Sequence, residues 1–191
     1  MNNRCRNNMV KVLVAFGSRY GSTSEIAHAI STHLNNQDIE TQLLNLKEIK
    51  QKNWPSLKNF DGILIGSGIK IGAWTKEAKK FLKQIRSDNI TSPIGAFVSC
   101  GEAGDPDKQS EAKKKYIEKV LAKFGVKATL HDAFGGVLDL TEASNLGGLN
   151  KKMLSLASKE DPTIKQGEKN DGRDWAQIEK FAINFCNLLK N

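Results

Sequence analysis

Short apolar runs alternate along the chain with longer stretches in which apolar residues recur every three or four positions. Residues 10–16 (VKVLVAF), 61–66 (DGILIG) and 94–99 (IGAFVS) are nearly continuous apolar runs, the mark of parallel strands covered on both faces. Residues 39–44 (IETQLL) alternate only in part, which suits a strand near a sheet edge, and a fifth run spans roughly 126–134. Helical periods fill the intervals. Ile26, Ile30 and Leu34 repeat every four residues within 22–35, with Ala27 beside them. Ala78, Phe81, Leu82 and Ile85 form one stripe within 75–86, and Thr75 is placed to cap it. Tyr116, Ile117, Val120, Leu121 and Phe124 do the same within 107–124, which Gly125 should terminate. A final helix over about 175–189 buries Ile178, Phe181, Ala182, Phe185 and Leu189, with Asp174 and Gln177 spaced like a capping box. Strands alternating with helices over short connections give βαβ units. The expected fold is α/β, a doubly wound five-stranded parallel sheet in the order 2-1-3-4-5 with helices on both faces.

The 191 residues suit one domain over 9–191, and the polar, basic start at 1–8 reads as a disordered, dispensable extension. That start has no apolar stretch of signal-peptide length, and no run approaches a membrane span, so the expected location is cytoplasmic. The irregular part is 136–172, which includes Gly147-Gly148 and one basic amphipathic segment, Leu149 to Ala157. Cys5, Cys100 and Cys186 lie far apart, and His28, His33 and His131 lack ligand spacing, so neither a disulfide framework nor a metal site is expected. The net charge of +8 attracts phosphates, nucleic acid or an anionic membrane. The lysines are scattered over helix faces with few interleaved aromatics, which disfavours a nucleic-acid partner.

Ligands of open parallel sheets bind outside the carboxyl ends of the strands, beside the point where strand order reverses. Three unusual loops leave those ends. After the first strand come Gly17, Ser18, Arg19, Tyr20, Gly21, Ser22 and Thr23, glycine and hydroxyl residues opening a helix. Backbone N–H groups, hydroxyls and the helix dipole there suit a phosphate, although an ordinary N-cap at Ser22 or Thr23 would use the same residues. The loop has neither the Gly-Lys-Ser/Thr of a nucleotide-triphosphate loop nor GxGxxG. After the third strand come Ser67, Gly68, Ile69, Lys70, Ile71, Gly72, Ala73 and Trp74, where two glycines let backbone approach a flat aromatic ligand. Trp74 would either stack on that ligand or cap the core. After the fourth strand come Ser99, Cys100, Gly101, Glu102, Ala103, Gly104 and Asp105, with Asp105-Pro106 able to start a helix. Cys100 reads as a small filler rather than a reactive thiol.

The run VKVLVAFGSRYGSTSEIA resembles the phosphate-loop signature of the flavodoxin family, and GSGIKIGAWTKEAKKFL is similar to the second flavin loop of one branch of it. That branch includes menaquinone-dependent protoporphyrinogen dehydrogenase. Asp174-Trp175 matches the acidic-Trp pair that opens its last helix. The resemblance covers nearly all of 10–190 and implies an FMN cofactor in a flavodoxin-like fold. Ser18, Arg19, Tyr20, Gly21, Ser22 and Thr23 would hold the phosphate, with Arg19 adding a cation. Ser67 to Trp74, and Ser99, Cys100, Gly101, Glu102, Gly104 and Asp105, would flank the isoalloxazine. The flavin then carries the chemistry, and no protein side chain is expected to be catalytic.

Two functions follow from the resemblance. One is electron transfer with a redox partner protein or small-molecule substrate, in which Lys70 favours the reduced, anionic flavin. The other is quinone-dependent oxidation of protoporphyrinogen IX, with peripheral contact at an anionic membrane. The third loop departs from the protoporphyrinogen enzyme, being short and carrying Glu102 and Asp105 where that enzyme has a long basic insert.

Overall fold

The computed structural model describes residues 9–143 and 164–190. The expected extension at 1–8 and the amphipathic segment Leu149 to Ala157 lie outside the described residues. Strands β1 (Lys11–Gly17), β2 (Glu40–Asn45), β3 (Gly62–Gly68), β4 (Ile94–Cys100) and β5 (Leu130–Gly135) form a parallel sheet in the order β2-β1-β3-β4-β5. Every neighbouring pair is parallel and in regular register, for example Val14 opposite Leu43 and Leu64. The doubly wound topology expected from the hydrophobic pattern is the one observed.

The two faces of the sheet take alternate residues of each central strand. Val12, Val14 and Phe16 of β1, with Leu64 and Phe97, meet α1 (Ser22–Asn35) and the last helix, α5 (Trp175–Lys190). Leu13, Ala15, Ile63, Ile65, Ala96 and Val98 meet α2 (Lys76–Ser87) and the helical stretch 106–124 on the other face. Phe181 meets Phe97 and Phe134 edge-on, and those two rings are tilted on each other, with centroids 5.5–6.2 Å apart in the first core. Only β2 alternates between exposed and covered positions, as its place at the sheet edge requires.

Local signals set the helix starts. Thr75 Oγ1 accepts from Ala78 N at 3.2 Å, and Asp105 Oδ1 accepts from Asp107 N at 3.0 Å with Pro106 in the first turn. Asp174 Oδ1 takes the N–H groups of Ala176 and Gln177, but the Gln177 amide donates to Asp132 and the Ala133 carbonyl. The capping box is therefore half made, and its second half ties α5 to β5.

Three features differ from the sequence reading. The helix expected over 107–124 is α3 (Pro106–Lys113) and α4 (Lys119–Phe124) joined by a π-turn over Lys114–Glu118. β5 starts four residues later than the apolar run, because Val126 still closes the left-handed helix end at Gly125 and the chain first joins β4 at Thr129, whose N–H donates to the Ile94 carbonyl at 2.7 Å. An antiparallel pair, β6 (Val137–Asp139) with β7 (Lys169–Asp171), crosses the carboxyl end of β5. No helix among the described residues is long and apolar enough to cross a membrane.

Candidate functional site

The carboxyl ends of β1, β3 and β4 converge where the chain leaves β1 for β2 on one side and β3 lies on the other, the switch point of the sheet. Each of the three loops singled out above opens here.

In the first loop Gly21 adopts φ 103°, a conformation that costs glycine little and any other residue much. Its N–H donates to Ser18 Oγ at 3.1 Å and its carbonyl receives the first helical bond from Glu25 at 3.0 Å. No side chain caps α1. The N–H groups of Ser22 and Thr23 consequently have no partners among the described residues, and neither do those of Arg19 and Tyr20. Thr23 is only 1% exposed, yet its hydroxyl makes no hydrogen bond among the described residues. It faces Gly68, where an added Cβ would come within 2.9 Å of Thr23 Oγ1. Ser22 Oγ instead bonds Ser99 Oγ at 3.1 Å, and Ser99 donates on to the Gly135 carbonyl.

Arg19 departs from the sequence reading. Its guanidinium turns away from the cradle and donates to the carbonyls of Gly68 (2.7 Å), Ala73 (3.1 Å) and Trp74 (3.3 Å), clamping the second loop to the first. A rigid fork with five donors can do this and an ammonium cannot. Burial lowers its pKa from the usual arginine value, and it stays a cation.

The second loop is a tight turn. Lys70 and Ala73 exchange backbone hydrogen bonds of 3.2 and 3.1 Å around Ile71 (φ 48°) and Gly72 (φ 69°), both left-handed. A β-branched residue there is strained, and Ile71 is 84% exposed. Lys70 Nζ donates to the Tyr20 hydroxyl at 2.7 Å and lies 5.4 Å from the ring centroid, so the second loop is tied to Tyr20, which is 42% exposed. Ser67 is buried and accepts from Thr75 N at 3.0 Å.

Trp74 is also corrected. It is 1% exposed, packs in the core and donates its indole N–H to the Tyr116 carbonyl, so it has no face to offer a ligand. The π-turn makes this possible, because its wider spacing interrupts the regular helical ladder around Tyr116.

The third loop is bound up with its own surroundings. Cys100 is buried, and burial pushes its thiol up to about 11, which makes it a filler. Asp105 caps α3 and pairs with Lys108 at 2.8 Å rather than facing the cleft. Gly104 lies against Gly172, and Gly101 has open space at its Cβ position. Glu102 accepts from the Tyr116 hydroxyl at 2.6 Å and from Lys115 Nζ at 3.2 Å. Burial opposes ionisation of Glu102, but the bonds from Tyr116 and Lys115 outweigh it and hold the carboxyl below its ordinary range. Burial and the same carboxylate raise the Tyr116 phenol. Stability from Glu102 is thus fully present above the ordinary carboxylate pKa and is lost as pH falls through the lowered one. Glu102→Gln is expected to flatten the acid limb of a melting temperature–pH curve; superimposable acid limbs would contradict this.

Sequence reasoning missed Arg173, whose buried side chain pairs with Asp171 and with Glu25 in the first turn of α1. It lies in a polar stretch with no periodic signal.

The geometry agrees with the comparison to known proteins. Residues 13–166 match the family model described as Flavodoxin domain. The chain belongs to the flavodoxin domain family. This flavodoxin-domain protein is 25% identical over 186 residues to "Protoporphyrinogen IX dehydrogenase [quinone]" of Escherichia coli K12, covering 94% of this chain and 96% of that one. Among solved structures, rubredoxin oxygen:oxidoreductase from Desulfovibrio gigas has a TM-score of 0.61 at 15% identity, over 94% of this chain and 36% of that one. An archaeal flavodoxin has 0.55 at 15% identity, over 95% of this chain and all (100%) of the other. Flavodoxin 2 from Bacillus cereus has 0.52 at 19%, over 95% and 98%. At these identities the structural likenesses establish the fold, and the family resemblance of the sequence is borne out.

Proposed function

We propose that this flavodoxin-domain protein binds FMN at the carboxyl end of its sheet and passes electrons between a donor and an acceptor. The observation that carries the reading is the cradle itself: an uncapped helix start, Gly21 at positive φ, and a Thr23 hydroxyl with no partner among the described residues. The N–H groups there and the Thr23 hydroxyl are left for solvent or a ligand to satisfy, and an anion would complete them together. A phosphate ester would take the N–H groups of Arg19, Tyr20, Ser22 and Thr23 and the hydroxyls of Ser18 and Thr23, with the α1 dipole adding attraction. FMN, when bound, supplies the redox chemistry, and the chain holds, shields and tunes it. Residues 67–73 and 99–104 would flank the ring, Tyr20 and Ile71 offering apolar surface and Arg19 fixing the second loop.

An absorbance spectrum of the purified or FMN-reconstituted protein tests the reading. Bound oxidised flavin at one per chain is expected, and a protein that stays colourless after reconstitution contradicts it. Lys70, held on Tyr20, favours added negative charge nearby. Lys70→Ala is expected to lower the flavin midpoint potential by about 30–60 mV in a redox titration; an unchanged or raised potential removes Lys70 from the account. Trp74→Phe, which only loses a buried hydrogen bond and some packing, should lower the melting temperature by about 4–8 °C. Its flavin affinity should stay within about threefold, because a merely local packing change barely reaches the cleft; a larger loss would restore a stacking role.

The near full-length similarity to protoporphyrinogen IX dehydrogenase favours a second, finer reading, in which protoporphyrinogen is oxidised and a quinone reduced. The charge of +8 and the exposed side chains of Tyr20 and Ile71 support a protein that approaches an anionic membrane where such substrates partition. Anaerobic turnover with protoporphyrinogen and a menaquinone analogue is the test, and its absence leaves electron transfer to a partner protein.

A further inference from the structure

The buried guanidinium of Arg173 has no part in the contacts assigned to the cofactor so far. Its side chain is 4% exposed, and a cation so deeply covered is stable only when paired. Asp171 takes two of its N–H groups, Nε at 2.8 Å and Nη2, and Glu25 takes Nη1 at 2.6 Å. The Trp175 ring covers it, 4.5 Å from its central carbon. Backbone contacts fix where Arg173 starts from. Gly172 N donates to the Gly136 carbonyl at 3.1 Å, and Gly172 packs on Gly135 so closely that a Cβ there would collide, and tightly on Gly104.

Glu25 makes this pair matter. It stands in the first turn of α1, receives no pairing cation other than Arg173 among the described residues, and its Oε1 lies 3.7 Å from the Cβ position of Gly21. A carboxylate in the first turn favours the helix, yet this one stands beside Gly21, in the loop whose N–H groups have no partners among the described residues. Unneutralised, it would repel a dianionic phosphate ester.

We propose that Arg173 is a positioning residue for the phosphate cradle: by pairing with Glu25 it cancels the carboxylate beside Gly21, so that the start of α1 accepts a dianionic phosphate ester. The inference rests on the reading that this cradle holds the FMN phosphate. Because the effect is electrostatic, it acts on FMN and spares riboflavin, which has the same ring and no phosphate. It also predicts rescue, since removing the Glu25 charge removes the need for Arg173.

The full-length apoprotein and three variants, Arg173→Met, Glu25→Gln and the double variant, are titrated with FMN and with riboflavin by flavin fluorescence. Arg173→Met should weaken FMN about tenfold or more and riboflavin less than about threefold. Glu25→Gln, a change on an exposed side chain that should not disturb folding, should tighten FMN about twofold or more and leave riboflavin unchanged. The double variant should return to within about threefold of the wild-type FMN affinity. Equal losses for FMN and riboflavin, a double variant as weak as Arg173→Met, or a Glu25→Gln variant with unaltered FMN affinity would each overturn the proposal. Wild-type protein that binds FMN no better than riboflavin would instead overturn the phosphate cradle itself.

Discussion

Arg19→Ala is expected to weaken FMN binding about 30- to 100-fold while leaving the sheet intact. The guanidinium joins the first loop to three carbonyls of the second, and charge-assisted hydrogen bonds of this kind contribute about 1.5–3 kcal/mol each without adding fully. A net loss of about 2–3 kcal/mol gives the stated range. The same bonds hold the free protein's loops together, and one acceptor is the carbonyl of the core residue Trp74, so the melting temperature should also fall, by about 4–8 °C. Arg19→Lys should recover only a small part, because one ammonium cannot span three acceptors in a fixed plane. Fluorescence titration measures the affinity, and amide exchange over residues 68–74 should quicken in both variants. An Arg19→Ala protein with wild-type affinity would mean that the second loop holds its shape unaided.

Gly135→Ala should be the most damaging single methyl in the molecule's active end. Its Cβ would lie 1.8 Å from the Gly172 carbonyl oxygen and 3.0 Å from Arg173 N, contacts that no rotamer can relieve because both partners are backbone. The 169–175 segment must lift, releasing the β6–β7 pair, the Gly172–Gly136 hydrogen bond and the Arg173 anchor. A cost of about 3 kcal/mol is reasonable for such overpacking, or about 6–12 °C in melting temperature for a chain of this size. Gly101→Ala is the matched control. Nothing lies within 4 Å of its Cβ position, and its φ of −60° suits alanine, so it should melt within about 2 °C of wild type. Similar melting curves for the two variants would show that the segment is not packed as described.

The legible part of the fold was the part that burial writes into sequence. Strands covered on both faces must be apolar throughout, so β1, β3 and β4 stood out, and the stripes of α1, α2 and α5 followed from one-sided burial. β6 and β7 were invisible because three-residue strands such as Lys169-Asn170-Asp171 bury almost nothing. The π-turn was equally silent: Tyr116, Ile117, Val120 and Leu121 keep helical spacing whether or not one turn widens. In the site, glycines and hydroxyls at strand ends located the three loops, and the helix signals placed their starts. The direction of each side chain was not legible. Arg19 reaches loop carbonyls, Trp74 reaches the carbonyl that the π-turn presents, and Asp105 serves a cap, each choice decided by a tertiary partner far along the chain. Arg173 escaped notice for the same reason, since its partner Glu25 is 148 positions away.

The measurement that bears most directly on the whole account is a calorimetric titration of the apoprotein with FMN and, separately, with riboflavin. The cradle at the start of α1 predicts one FMN per chain with an exothermic signal, and riboflavin weaker by about a hundredfold or more, since the phosphate supplies the charge-assisted hydrogen bonds. No heat with FMN, or equal affinity for the two, would contradict it.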